Sequence, residues 1–111
     1  MTKKEGKIAI VTGATGGIGF QVAKRLGQDG CTVILNGIED DKGANSVKEL
    51  QALGIDAEYY SFDVTDETAV NENINVIGTK YGKIDILVNN AGGLGGRSRF
   101  EDMTTEFFRF V

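Results

Sequence analysis

The chain has 111 residues, enough for one domain of ordinary size, and its 41% apolar and 25% charged composition is that of a globular protein. Sixteen acidic against twelve basic residues give a net charge of -4, the wrong sign for a nucleic-acid backbone or an anionic membrane surface. Histidine is absent, which removes Ser-His-Asp and Cys-His catalysis and every histidine-ligated metal site.

Four short apolar runs alternate with three helical patterns, the order expected of a parallel sheet with crossover helices. Ile8-Ala9-Ile10-Val11 is continuously apolar and predicts a central strand covered on both faces. Ile18, Val22 and Leu26, four residues apart, predict the apolar face of a first helix that Gly30 stops near Asp29. Thr32 to Asn36 predicts the second strand, broken by Gly37. Ala44, Val47, Leu50 and Leu53 mark a second helix, opened by Asp40 and Asp41 and closed by Gly54. Ala57 to Phe62 is a third strand whose Glu58 and Ser61 place it at a sheet edge. Thr65 is the expected cap of a third helix, with Asp66 and Glu67 in its first turn, a stripe of Val70, Ile74, Ile77 and Tyr81, and Gly82 as its end. Ile84 to Val88 predicts the fourth strand; a glycine-rich loop from Gly92 to Gly96 follows, and Thr104 opens a helical segment containing Phe107, Phe108 and Phe110. Right-handed crossovers and one reversal of direction give the strand order 3-2-1-4, the dinucleotide-binding half of a doubly wound α/β fold, with its crevice at the carboxyl ends of strands one and four. No repeat or boundary divides residues 1–111, which are expected to form a single domain.

Cys31 is the only cysteine, so it reads as a small buried hydrophobe, and a reducing, cytoplasmic setting is the simplest expectation. The apolar stretch after the charged N-terminus ends at Gly13, too short for a signal-peptide core or a membrane span. Sixteen glycines are about twice the usual share of roughly 7%, and with no proline they do not form a low-complexity linker.

The segment Thr12-Gly13-Ala14-Thr15-Gly16-Gly17-Ile18-Gly19 lies between the first strand and the first helix, so peptide N–H groups of the helix start face the crevice. A helix N-terminus carries about half a positive charge, and glycines let a pyrophosphate approach the backbone. The spacing is G-x-x-x-G-x-G, and such a loop alone is explained equally well by phosphate binding or by tight packing. A P-loop is excluded because no Gly-Lys-Ser or Gly-Lys-Thr follows the glycines.

Thr12 to Gly19 resembles the cofactor signature of the classical short-chain dehydrogenase/reductase family, and Asn89-Asn90-Ala91-Gly92 resembles its second signature. Asp63-Val64 matches the family's adenine-contacting pair, and the resemblance spans essentially the whole chain but only the N-terminal half of a typical member. It implies a Rossmann-type fold in which Gly13, Thr15, Gly16, Gly17, Ile18 and Gly19 surround the ribose and pyrophosphate, with Ile18 toward the nicotinamide. Asp63 and Val64 would recognise adenine, and Asn90, Ala91 and Gly92 would line the opposite wall. Read alone, Asp63 is also a turn carboxylate and Asn89-Asn90 a strand-ending turn.

NAD and NADP stay open as the cofactor. The end of strand two offers Asn36-Gly37-Ile38, with neither the carboxylate of an NAD enzyme nor the arginine of an NADP enzyme, and Gly16 stands where many NADP members carry a basic residue. Glu39, Asp40 and Asp41 would repel a 2′-phosphate unless they form only a solvated helix start.

The resemblance also implies hydride transfer to or from a carbonyl/alcohol pair by a tyrosine with a lysine four residues later. Tyr59, Tyr60 and Tyr81 are followed at that spacing by Asp63, Val64 and Asp85, so this chain alone is expected to be catalytically incompetent and to be a truncated piece of a complete oxidoreductase. An exposed strand-four edge and the C-terminal aromatics would then favour a homo-oligomer. The competing reading is a non-enzymatic nucleotide-sensing or interaction module; a small phosphate-binding protein ranks last because it leaves Asn89 to Gly92 without a role.

Overall fold

A computed structural model describes residues 6–90, so Ala91, Gly92, the Gly92–Gly96 loop and the segment with Phe107, Phe108 and Phe110 lie outside the described residues. Seven elements alternate along the chain: β1 (Ile8–Val11), α1 (Gly17–Gln28), β2 (Thr32–Gly37), α2 (Asp40–Ala52), β3 (Ala57–Ser61), α3 (Glu67–Tyr81) and β4 (Ile86–Val88). The sheet order is β3-β2-β1-β4 and every pairing is parallel, which is the expected Rossmann-type, doubly wound α/β arrangement with β3 at an edge. After β3 the chain returns to the far side of β1, so the β1–β4 seam is the point where the direction of winding reverses.

Period-two alternation within the apolar runs builds two cores. Ile8, Ile10 and Ile34 face α3 with Val70, Ile74 and Ile77. Ala9, Val11, Val33 and Leu35 face the other way, onto Phe20 and Ala23 of α1 and Leu50 of α2, with Cys31 buried among them. A run polar on neither face is therefore what a strand with helices on both sides requires.

The α3 stripe of Val70, Ile74 and Ile77 is buried as expected, whereas the faces of α1 and α2 depart from expectation. Ile18 is 75% exposed, and α1 instead buries Gly19, Phe20 and Ala23, with Val22 and Leu26 only flanking the core. In α2 Leu53 is 52% exposed and Ala44 is exposed, while Gly43, Ser46 and Leu50 face inward. Small residues let α2 sit close to the sheet and α1 close to the connection before β3: a Cβ on Gly43 would fall 2.4 Å from the Tyr59 ring, and one on Gly27 2.4 Å from the Ile55 side chain.

Three boundaries also move. Gly37 does not break β2 but ends it, paired with Ser61, and Phe62 lies past β3 in the core. The cap of α3 is Asp66 rather than Thr65: the Asp66 carboxylate accepts the Ala69 N–H at 3.1 Å, whereas Thr65 bonds Asp63. Strand β4 starts at Ile86, because Asp85 takes the Ile8 N–H with its side chain at 2.8 Å and gives its own N–H to the Ile8 carbonyl at 2.9 Å. Desolvation raises the Asp85 pKa, but the Ile8 amide and Lys83 outweigh it and leave the carboxyl below its ordinary value.

Candidate functional site

The turn from β1 into α1 combines two left-handed glycines with one close approach. Gly13 and Gly17 both have φ of 59°, a conformation that side chains with a Cβ rarely adopt. Gly19 is packed so tightly that a Cβ there would lie 2.4 Å from the Gly13 carbonyl oxygen and 2.6 Å from Asn90 Nδ2. Gly16 is the extended N-cap of α1, without a side chain to cap it, and no acidic residue stands in the first turn. Around Gly16 and Gly17 nothing lies within 4 Å of where a Cβ would be, so the mouth of the helix opens outward. Phe20 N–H is the first to reach back along the helix, to the Gly16 carbonyl at 3.3 Å; the earlier amides of Gly17, Ile18 and Gly19 have no carbonyl one turn behind them.

Neighbouring strands hold that bend in place. Asn36, at the end of β2 and 2% exposed, accepts the Gly13 N–H on Oδ1 at 3.3 Å and the Ala14 N–H on its carbonyl at 2.9 Å, and donates from Nδ2 to the Phe62 carbonyl at 2.8 Å. One buried side chain thus ties the ends of β1, β2 and β3 together. On the other side Thr12 Oγ1 donates to the Val88 carbonyl at 3.3 Å and accepts the Asn90 N–H at 2.9 Å. Asn90 Nδ2 then donates to the Gly13 carbonyl at 3.1 Å. Ser46 of α2 adds a bond to the Thr15 carbonyl at 3.3 Å.

Beside the bend is a cavity of about 310 Å³ at the carboxyl ends of β1, β2 and β3, walled by Gly13, Thr15, Asn36, Gly37, Asp63 and Val64 among others. The sequence-predicted residues therefore divide. Gly13, Thr15, Asp63 and Val64 share this cavity; Gly16, Gly17 and Gly19 form the adjoining helix mouth, with Ile18 exposed on it; Asn90 braces the bend from β4. Val64 also belongs to the core, and Asp63 is engaged by Thr65, whose hydroxyl and N–H donate to its Oδ1 at 2.7 and 2.8 Å. The Thr65 hydroxyl, then the Thr65 amide, hold the Asp63 carboxyl below its ordinary value, so it stays an anionic acceptor at neutral pH.

Sequence reasoning missed the positioning role of Asn36 and Ser46. A lone amide closing the apolar run Val33-Ile34-Leu35 was the available signal, since a polar group there is buried and must be answered. Ser46 gave none, because its partner is a backbone carbonyl distant in sequence.

The arrangement suits a pyrophosphate-bearing dinucleotide: open amides at an uncapped helix start, no carboxylate competing there, and a roomy cavity alongside. Among the described residues no cluster of His, Cys, Asp or Glu could hold a metal ion, and no helix is long and apolar enough to cross a membrane.

Comparison with known proteins agrees with this geometry. An uncharacterised oxidoreductase of Bacillus subtilis is 42% identical over 86 residues, covering 78% of this chain and 34% of that protein. A metagenomic short-chain oxidoreductase solved in complex with NADP superposes with a TM-score of 0.78 at 35% identity, over 80% of this chain and 40% of that one. An actinorhodin polyketide ketoreductase variant solved with NADPH gives a TM-score of 0.75 at 36% identity, over 78% of this chain and 33% of that one. The chain thus spans from a third to two-fifths of the length of these relatives. The short chain dehydrogenase family model matches residues 7–111, and with the bend, the cavity and the strand order in place, the chain belongs to that family.

Proposed function

We propose that this chain is the dinucleotide-binding half of a short-chain oxidoreductase whose whole form transfers hydride between a nicotinamide cofactor and a carbonyl or alcohol substrate. The observation that carries the reading is the braced glycine bend: Gly13 and Gly17 in left-handed conformations, Gly19 against the Gly13 carbonyl, and Asn90 bonded across from the next strand. The relatives solved with NADP and NADPH support a dinucleotide as the ligand class.

When bound, the nicotinamide supplies the hydride donor or acceptor. The chain's own residues bind and orient. Amides of Gly17, Ile18 and Gly19 would hold the pyrophosphate, Asn36 and Thr12 fix the bend so that these donors need not reorganise, and Asp63 and Val64 would wall the adenosine end. Ala91 and Gly92 would extend the Asn90 wall.

None of the three tyrosines is placed to act as a base. Burial is the largest influence on each and raises all three phenols above the ordinary value, and Tyr81 is further held protonated by donating to Glu58. We therefore assign proton transfer to residues outside this chain and expect the chain alone not to turn over substrate.

Calorimetric titration of NADH and NADPH into the purified chain tests the reading. Gly17→Val places a β-branched residue at φ of 59° and methyls in the open helix mouth, and binding should vanish. Wild-type affinity in that variant would remove the phosphate site.

A further inference from the structure

We propose that Asn36-Gly37 is a latent site of spontaneous deamidation, suppressed by the folded bend and disarming that bend once it occurs; its effect on ligand binding rests on the dinucleotide reading above. Asn36 is the only asparagine of the sequence that is followed by glycine. Two structural demands create the pair. At position 37 a Cβ would lie 2.7 Å from Thr15 Cγ2 and 3.3 Å from the Tyr59 ring, so packing selects glycine. At position 36 the side chain must accept and donate at once: Oδ1 takes the Gly13 N–H at 3.3 Å and Nδ2 gives to the Phe62 carbonyl at 2.8 Å. An amide does both, and a carboxylate cannot.

The chemistry needs no enzyme. The Gly37 backbone nitrogen, unshielded by a Cβ of its own residue, attacks Asn36 Cγ; an N–C bond forms, the Cγ–Nδ2 bond breaks, and ammonia leaves with the Gly37 amide proton. Water then opens the cyclic imide at either carbonyl, giving an aspartate or an isoaspartate whose main chain runs through the former side chain.

The fold closes this path. Asn36 is 2% exposed, its side chain is tied to the bend after β1 and to Phe62 after β3, and Gly37 is paired with Ser61 in the ladder. Ring closure therefore proceeds from states in which the end of β2 has opened. After conversion to aspartate, a carboxylate oxygen faces the Phe62 carbonyl where Nδ2 had donated, leaving a buried anion without that donor. An isoaspartate adds a carbon to the main chain and shifts Gly37 off Ser61.

Peptide mass analysis of the intact chain held in mildly alkaline buffer, with and without denaturing urea, tests this. The tryptic fragment of residues 26–42 contains Asn36 as its only asparagine. Conversion should be at least about a hundredfold slower in the native chain than in urea. Whichever of NADH and NADPH binds more tightly, at about a hundred times its Kd, should slow it by about a further hundredfold, because binding depletes the open states that react. Asn36→Asp should lower the urea midpoint by about 1 M, as should the converted wild-type fraction isolated by ion exchange. Asn45→Asp, at an exposed position of α2, should not. Equal rates in native and unfolded chains, or an unchanged midpoint after conversion, would overturn the proposal. A bound dinucleotide that leaves the native rate unchanged would overturn the coupling to the bend. Binding of neither dinucleotide would instead overturn the cofactor reading, while the native-to-urea ratio and the midpoints still decide the site.

Discussion

Two turns of this sheet do the same topological job and are built oppositely. Each leaves the carboxyl end of a parallel strand and enters a helix, β1 into α1 on one face and β3 into α3 on the other. At β3–α3 the donors are answered from within: Asp63 accepts both the N–H and the hydroxyl of Thr65, and Asp66 accepts the Ala69 N–H. At β1–α1 the cap is a glycine, no carboxylate stands in the first turn, and the surrounding hydrogen bonds hold the bend from behind rather than filling its mouth. A side-chain cap exceeds a glycine cap by only about 0.3 kcal/mol, so leaving the start of α1 open costs the helix little. The contrast separates a turn closed by its own side chains from one whose helix start is left open.

The largest expected effect breaks the open turn. In Gly19→Ala the new methyl must displace the Gly13 carbonyl or the Asn90 amide, which lie 2.4 and 2.6 Å from its position. Overpacking of this kind costs about 1–3 kcal/mol, read as a lower urea midpoint. Dinucleotide affinity should fall by about a hundredfold, or about 2.7 kcal/mol, because the displaced carbonyl carries the bend with it. A variant that binds normally would show that the donors do not depend on this packing.

The complementary change breaks the closed turn. Asp66→Ala removes the cap of α3 and should lower stability by about 1 kcal/mol. Affinity for NADH should stay within about twofold, since Asp66 does not wall the cavity. If calorimetry instead found affinity falling as in Gly19→Ala, the division between the two turns would not stand.

The same contrast explains what could be read from sequence. Strands were legible because Ile8 to Val11 and Val33 to Leu35 are apolar on both faces, a pattern that a doubly covered sheet demands and few other settings tolerate. The glycine bend was legible because positive φ and close approach select one residue type. The α3 face was legible too, but the faces of α1 and α2 were read only in part. A stripe of large apolar residues pointed to Ile18 and Leu53, whereas contact runs through Gly19, Ala23, Gly43 and Ser46, whose smallness is what brings the helices to the sheet. Side-chain competition was equally hidden: Thr65 and Asp66 are both good caps, and the choice fell to Asp66 because Asp63 engages Thr65.

The smallest effect concerns the far end of the closed crossover. Glu58 on β3 accepts hydrogen bonds from Lys80 and Tyr81 at the end of α3, so this crossover is fastened where it begins and where it finishes. Desolvation raises the Glu58 pKa, but Lys80 and Tyr81 outweigh it and hold the carboxyl below its ordinary 4.5. A carboxyl lowered by folding stabilises the native state above its unfolded value, and that contribution is lost as pH falls through the lower folded one. Comparing Glu58→Gln with wild type in urea should therefore show a gap of only about 0.3–0.5 kcal/mol at pH 7, because the groups are partly solvated. The gap should narrow once pH drops below 4.5, where wild-type Glu58 also becomes neutral. A gap that stays constant on acidification would mean that packing of the side chain, not its charge, ties β3 to α3. Dinucleotide affinity measured in the same variant at pH 7 should not move, because Glu58 and its partners stand apart from the residues walling the cavity and the glycine bend.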